Sequence, residues 1–408
     1  MKILLVNKFH YLRGGSEKYY FELANLLKSK GHTVAFFSMK KPENITTGDK
    51  EYFVDEIDLN TGSKLKALDV IYSKANKKLM TKALDEFKPD IVHINNFQRQ
   101  LSASIIDAIK EKNIPIVMTA HDLNPICPAS IMLYNDKPCE DCLTKGYTQC
   151  IKKKCNKGST LKSIIGYAEK KYYDTHKIFK KIDCIISPSE FNKNQFIKGK
   201  LNCNEIKVLH NFVNESEHKE YVLGDYAFYF GRLSKEKGIL NLVEAIKDIP
   251  NSKLLIAGDG PERENIESYI KEHKLDDRIT LLGYQNQNSI REYIRNSRFI
   301  VVPSIWYENC PYSILETLEI GKPVIGSRIG GIPELIEDGK NGFLYKSDSI
   351  LELKEKMQEL FVNDEKVNVF SNNSRKLYEK KYSPNAYYNN LMIIYNEVKN
   401  KQEDNFKQ

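Results

Sequence analysis

This sequence predicts an α/β protein of two doubly wound domains, each a parallel sheet covered by helices on both faces. Three observations carry that prediction. Short continuous apolar runs alternate with helical stretches along the whole chain. The rhythm breaks and restarts near VLHNFVN at 208–214. The glycine-bearing and charged motifs fall just after apolar runs, where the strand ends of such sheets bind ligands.

Taken in order, KILLVN at 2–7 reads as the first strand and 15–30 as a helix. HTVAFFS at 32–38, DIVHIN at 90–95, PIVMTA at 115–120 and DCIIS at 183–187 read as further strands. After the break come YAFYFG at 226–231, KLLIAG at 253–258, RITLLG at 278–283, RFIVVPS at 298–304 and KPVIGS at 322–327. The domains are placed at 1–207 and 208–383, followed by a segment 384–408. That segment carries a helix, SPNAYYNNLMIIYNEV, and a tail, KNKQEDNFKQ, that reads as disordered. With two facing domains, the expected site is the cleft between them.

At 408 residues the chain is long enough for domains with substantial cores. Its 41% apolar and 28% charged residues suit a soluble globular protein, and no apolar run reaches the length of a membrane span. The apolar part of MKILLVNKFHY is too short for a signal peptide, so a cytoplasmic location is expected. The net charge of +8 is concentrated. Eleven lysines between Lys145 and Lys181 face only Glu169 and Asp174, which leaves the remainder of the chain near −1.

RGGSEKYYFELANLL sets Gly14 and Gly15 between a strand and a helix, where free amides can meet an anion; the plainer reading is a glycine turn with Ser16 as helix cap. The motif lacks the G-x-G-x-x-G spacing of a dinucleotide fold, which disfavours a nicotinamide enzyme. GRLSKEKG at 231–238 sets Arg232 and Lys237 after a strand, two cations suited to a diphosphate, although a solvated basic loop would look the same. GDGP at 258–261 is a turn with Pro261 placed for the first turn of a helix. In ENCPYSILE at 308–316, Glu308 falls in a strand-end loop, suited to hydroxyls or developing positive charge. Ser313 and Glu316 fit a capping box at the start of the next helix.

The ordered set GGSE, GRLSKEKG, AGDGPERE, VVPSIWYENCPYSILETLEIGKPVIGS and GGIPELIEDGKNGFLY resembles glycosyltransferase family 4, retaining enzymes of GT-B fold. The resemblance implies a nucleotide diphosphate sugar donor held mainly by the second domain, and an acceptor side in the first. Arg232 and Lys237 would hold the diphosphate, aided by backbone at Gly14, Gly15 and Gly258. Glu308 would contact the donor sugar, amides from Asn309 and Cys310 onward would line sugar and phosphate, and Glu316 would bind the ribose. His121, in TAHD, matches a family histidine near the transferred sugar; a buried histidine satisfied by backbone is the alternative. The implied catalytic set is Glu308, His121, Arg232 and Lys237, with no metal or other cofactor for catalysis. The final helix would cross back to the first domain. Two departures stand out: Phe212 replaces the glycine that often follows the linker asparagine, and Cys310, Pro311 and Tyr312 replace a glycine near the phosphate. Pro311 has no amide hydrogen to offer.

Five of the eight cysteines fall in one insert: Cys127, Cys139, Cys142, Cys150 and Cys155. In a cytoplasmic protein this pattern suggests a structural zinc site of Cys139, Cys142, Cys150 and Cys155, with Cys127 as alternate; packing thiols are the other reading. The chain is similar in this to polysaccharide-building members of the family with a cysteine-rich insert. The lysine-rich stretch that follows, with the insert spanning about 127–181, reads either as an amphipathic helix for an anionic membrane surface or as a solvated face. The expected function is transfer of a sugar to a glycan or lipid diphosphate-linked acceptor in cell-surface polysaccharide synthesis, peripheral on the inner membrane face. Two rivals are a GT-B sugar-nucleotide epimerase and a zinc-containing nucleic-acid-binding protein. No base-reading motif supports the second, and nucleic acid is not expected as a partner.

Overall fold

The computed structural model describes residues 1–57, 68–216 and 222–407. It comprises two compact units. One contains residues 1–134, 139–210 and 387–408, the other 135–138 and 211–386.

The first unit is built on β1 (Lys2–Val6), β2 (Thr33–Met39), β3 (Lys50–Val54), β4 (Ile91–Ile94), β5 (Ile116–Thr119), β8 (Cys184–Ser187) and β9 (Ile206–Val208). A small hairpin of β6 (Leu133–Tyr134) and β7 (Lys137–Pro138) lies between β5 and β8 in sequence. The seven strands run parallel in the order β3-β2-β1-β4-β5-β8-β9. Ile3, Leu4, Leu5 and Val6 are fully buried, as an apolar strand inside a sheet covered on both faces requires. The stretch read as a disordered tail is instead helical as far as Lys407, within a helix Pro384–Lys407. Salt bridges from Lys399 to Asp90 and from Lys401 to Glu205 tie that stretch to the first unit.

The second unit's sheet has β10 (Tyr226–Phe230), β11 (Lys253–Ala257), β12 (Ile279–Gly283), β13 (Phe299–Val302), β14 (Val324–Ser327) and β15 (Gly342–Tyr345). All are parallel, in the order β12-β11-β10-β13-β14-β15. Apolar clusters cover both faces: one includes Val301, Ile325, Leu353 and Met357, the other Phe228, Ile300, Ile314 and Leu318. In each sheet the connections leave a central pair of strands in opposite directions, at β1 and β4 in the first and β10 and β13 in the second. The loops diverge there and leave a crevice beyond the strand ends, the general ligand position of open α/β sheets.

Candidate functional site

In the second unit the loops after β10 and β13 meet at this switch point. Lys237 ends a single 3-10 turn, Lys235–Lys237, and its Nζ donates to Oε1 of Glu308 at 2.6 Å. Ser304 Oγ donates to the same oxygen at 2.7 Å. Lys237 Nζ also stands 5.4 Å from the centre of the Trp306 ring. Glu308 is only 7% exposed. Burial alone would raise its pKa, but the Lys237 charge and the hydrogen bonds from Lys237 and Ser304 outweigh it and hold the carboxyl below its ordinary value. Glu308 is therefore an anion with one oxygen engaged by two donors.

Two close approaches fix this geometry. A Cβ on Gly330 would lie 2.2 Å from the Glu308 carbonyl oxygen and 2.6 Å from its nitrogen, and φ there is +59°. The neighbouring Gly331 amide donates to the Glu308 carbonyl at 2.7 Å, so the loop after β14 clamps the glutamate's backbone. Gly258 has φ +136°, and a Cβ there would come 1.8 Å from the Gly231 carbonyl. The loops after β10 and β11 thus touch backbone to backbone. Arg232 between them is exposed, and among the described residues its guanidinium makes no ion pair. Its carbonyl accepts from Tyr229 Oη at 3.0 Å.

The helix after Glu308 spans Tyr312–Ile320 with Pro311 as its N-cap. The capping-box reading of Ser313 and Glu316 is thereby corrected: Ser313 is the second helical residue, so its hydroxyl is past the position that caps. Glu316 lies deeper in the helix and is buried. Asn309 is half-buried. The Cys310 side chain belongs to the apolar cluster with Ile314 and Leu315, and burial pushes its thiol up to about 12. Pro261 lies before its helix, Arg263–Glu272, rather than in the first turn.

In the first unit the helix Gly15–Ser29 starts after Gly14 with no side-chain cap; Ser16 Oγ donates to Glu17 Oε1 at 2.9 Å instead. His121 follows β5, its Nε2 2.9 Å from Asn95 Oδ1 and its ring edge-on to Tyr19 with centroids 4.7 Å apart. Burial lowers its pKa to about 3, so the imidazole is neutral. Behind it, His93 sits 2.8 Å from Thr119 Oγ1 and 2.5 Å from Tyr395 Oη. The sequence reasoning missed Ser304 and Gly330, and also Lys8, Gln98, Arg99 and Asp122, which line a cavity of about 310 Å³ in the first unit. Their position directly after strands was the signal available for Lys8, Asp122 and Ser304.

The thiols of Cys127, Cys139, Cys142, Cys150 and Cys155 line one cavity of about 20 Å³. No disulfide joins them. Burial, then the charge of neighbouring thiols, pushes Cys142 and Cys150 up to about 12. Among the described residues no group of three or more histidine, cysteine or acidic side chains is spaced to hold a metal ion.

The lysine-rich stretch is less uniform than its composition. Lys170 is buried against Tyr147 and Phe179 and paired with Asp174 at 2.5 Å, so the helix Thr160–Thr175 is not a simple surface helix. Lys145 and Lys153 both pair with Asp141. Lys152, Lys154, Lys157 and Lys162 are exposed, and so are Leu161 and Ile164. No helix among the described residues is long and apolar enough to cross a membrane.

Residues 13–217 match the family described as Glycosyltransferase Family 4, and residues 213–377 match Glycosyl transferases group 1. An uncharacterized glycosyltransferase of Methanocaldococcus jannaschii is 35% identical over 204 residues, 49% of this chain and 56% of that protein. The UDP-Gal:alpha-D-GlcNAc-diphosphoundecaprenol alpha-1,3-galactosyltransferase of Escherichia coli is 34% identical over 176 residues, 40% of this chain and 44% of that protein. The chain thus spans about half the length of these curated relatives. Among solved structures, sucrose-phosphate synthase from Thermosynechococcus elongatus superposes with a TM-score of 0.72 at 17% identity, covering 97% of this chain and 98% of that one, which shows a shared GT-B fold.

Proposed function

The chain belongs to glycosyltransferase family 4, and on that premise we propose that it moves a sugar, with retention of configuration, from a nucleotide diphosphate sugar to a glycan or lipid diphosphate-linked acceptor in polysaccharide synthesis. The observation that carries this reading is the Lys237–Glu308–Ser304 cluster at the switch point of the second sheet, with the exposed Arg232 in the same loop as Lys237. The diphosphoundecaprenol-linked acceptor named for the Escherichia coli relative supports the acceptor class.

In this reading Arg232 and Lys237 hold the donor diphosphate, with backbone at Gly14, Gly15 and Gly258. Glu308 and the amides of Asn309 and Cys310 hold the sugar, Glu316 holds the ribose, and His121 stands near the transferred sugar. The acceptor hydroxyl oxygen bonds to the anomeric carbon as the carbon–phosphate-oxygen bond breaks. The electron pair leaves with the diphosphate, and the hydroxyl proton passes to the departing phosphate oxygen. The two cations stabilise charge as it develops on that oxygen. Glu308, held anionic and fixed in place, stabilises the positive charge that grows on the sugar ring. Arg232 and Lys237 supply the role a metal would otherwise play.

A thermal-shift screen of UDP, GDP and ADP sugars tests this. At least one should raise the unfolding temperature, and Arg232→Ala and Glu308→Ala should weaken that shift; no stabilisation by any of them would remove the reading's support.

Five thiols around one cavity also support a structural zinc ion on Cys139, Cys142, Cys150 and Cys155, with Cys127 the alternate. The donor type fits zinc, and the thiols would have to draw together to bind it. Elemental analysis of protein purified without chelator should find about one zinc per chain, and none would refute the site. The exposed lysines beside Leu161 and Ile164 support docking on an anionic inner-membrane surface from the cytoplasm. Charge reversal at Lys152, Lys154 and Lys157 should then release the protein from anionic vesicles.

A further inference from the structure

We propose that the cavity at the switch point of the first sheet is an oxyanion site that takes the phosphate or carboxylate group of the acceptor. Calling the ligand the acceptor's rests on the transferase reading; the anion binding itself does not.

The cavity has a volume of about 310 Å³, at the low end for small-molecule sites. It opens between the loops after β1, β4 and β5, which supply Lys8 and Arg13, Gln98 and Arg99, and Asp122 respectively. What these loops leave unsatisfied are donors. Gln98 is 7% exposed, its Oε1 accepts the Phe97 amide at 3.1 Å, and its Nε2 has no partner among the described residues. That hydrogen bond fixes which end of the amide points onward, so a buried N–H donor is left for a ligand. Lys8 Nζ and the Arg13 guanidinium rest near the Phe9 ring, 4.8 Å and 4.7 Å from its centre, with no ion pair among the described residues.

The two carboxylates that line the cavity each already accept a hydrogen bond. Asp122 Oδ1 takes the Asn124 amide at 2.8 Å, and Glu17 Oε1 takes the Ser16 hydroxyl. Arg99 is positioned from behind. Its Nη2 donates to Asn156 Oδ1 at 2.9 Å and to the Pro128 carbonyl at 3.2 Å, while its amide donates to Glu169 Oε1 at 2.7 Å. Asn156 and Glu169 lie in the cysteine- and lysine-rich insert, which therefore braces this cavity. The ligand must bring acceptors and negative charge to the buried Gln98 amide, the half-buried Lys8 and Arg99 and the exposed Arg13, and a tetrahedral or planar oxyanion does both.

The Lys8 ammonium adds a signature. Burial, then Arg99, lowers its pKa to about 8; Asp122 and Glu169 oppose that shift and Arg13 adds to it. A bound anion favours the charged form, so binding above pH 8 should take up protons.

The test is calorimetric titration of the full chain with sodium pyrophosphate, inorganic phosphate and malonate at low salt. The account expects, for at least one of these oxyanions, a saturable site that remains in Arg232→Ala, the change that removes a cation of the donor diphosphate site. Occupancy should persist in the presence of any nucleoside diphosphate that the donor screen identifies. Lys8→Met, Gln98→Leu and the exposed Arg13→Met should each weaken binding at least fivefold, with thermal unfolding reporting that each variant is folded. At pH 8.5 the wild type should take up protons on binding and Lys8→Met should not. Affinities unchanged in the folded variants would overturn the proposal, as would displacement of the anion by nucleotide, which would make this the donor's phosphate site. A negative donor screen would instead sink the transferase reading while leaving the anion titration to stand or fall separately.

Discussion

Replacing Lys237 with Met isolates the Glu308 carboxylate, and its cost can be bounded from the structure. Glu308 is 7% exposed and would keep only Ser304 of the two donors on Oε1. Breaking one side of a buried ion pair costs about 3–5 kcal/mol. A ceiling comes from the alternative of protonating the stranded acid. From its ordinary value of 4.5, neutralising it at pH 7 costs about 3.4 kcal/mol at 1.36 kcal/mol per pH unit. Lys237→Met should therefore lose about 3 kcal/mol at pH 7. At pH 5 the same neutralisation costs under about 1 kcal/mol, so most of the loss should vanish on acidification. Glu308→Gln should cost about 1 kcal/mol or less, because the Lys237 ammonium left behind is a quarter exposed and reaches water. The double variant should recover most of what Lys237→Met loses. Urea unfolding followed by fluorescence suits this test, since Trp306 is the only tryptophan and lies beside the pair. A loss below about 1 kcal/mol at pH 7, or one that persists unchanged at pH 5, would refute the reasoning.

Gly330→Ala should destabilise the second unit by about 2 kcal/mol or more and impair any Glu308-dependent binding, since its Cβ would meet the Glu308 backbone at 2.2 Å; urea unfolding and donor titration check it. His93 is fully buried with its pKa lowered to about 3. The unfolded chain takes up that proton near pH 6.5 and the folded one does not, so stability is lost as the pH falls through 6.5. Between pH 7 and pH 5 this one group should account for about 2 kcal/mol, and His93→Gln should flatten that part of the profile in chemical denaturation. Arg232→Ala, at an exposed position, should leave the unfolding midpoint within about 0.5 kcal/mol and weaken nucleoside diphosphate binding, read by calorimetry.

The buried strands were legible because continuous apolar runs such as KILLVN and RFIVVPS have one comfortable place in a parallel sheet. Five strands were not, two of them, β6 and β7, only two residues long. KEYFV at 50–54 carries two charges, IKV at 206–208 is a three-residue edge strand, and GFLY at 342–345 opens on a glycine that reads as a turn. In the site, Arg232, Lys237 and Glu308 stood out because charge after an apolar run is uncommon. Their mutual arrangement did not, since Lys237 and Glu308 lie 71 residues apart and meet only through the order of β10 and β13. The capping box was misread because the pattern cannot show which residue starts the helix, and Pro311 does so. Lys170 was counted with the surface charges because composition does not reveal the Tyr147 and Phe179 rings that cover it.

The central claim is tested most directly by nucleoside diphosphate release from UDP, GDP and ADP sugars, measured with and without a polyprenyl diphosphate-linked sugar acceptor. The account predicts release from one donor class, faster with acceptor, and a drop of about a hundredfold or more in Glu308→Gln while the variant stays folded. No release from any donor under either condition, or equal release by Glu308→Gln, would contradict it.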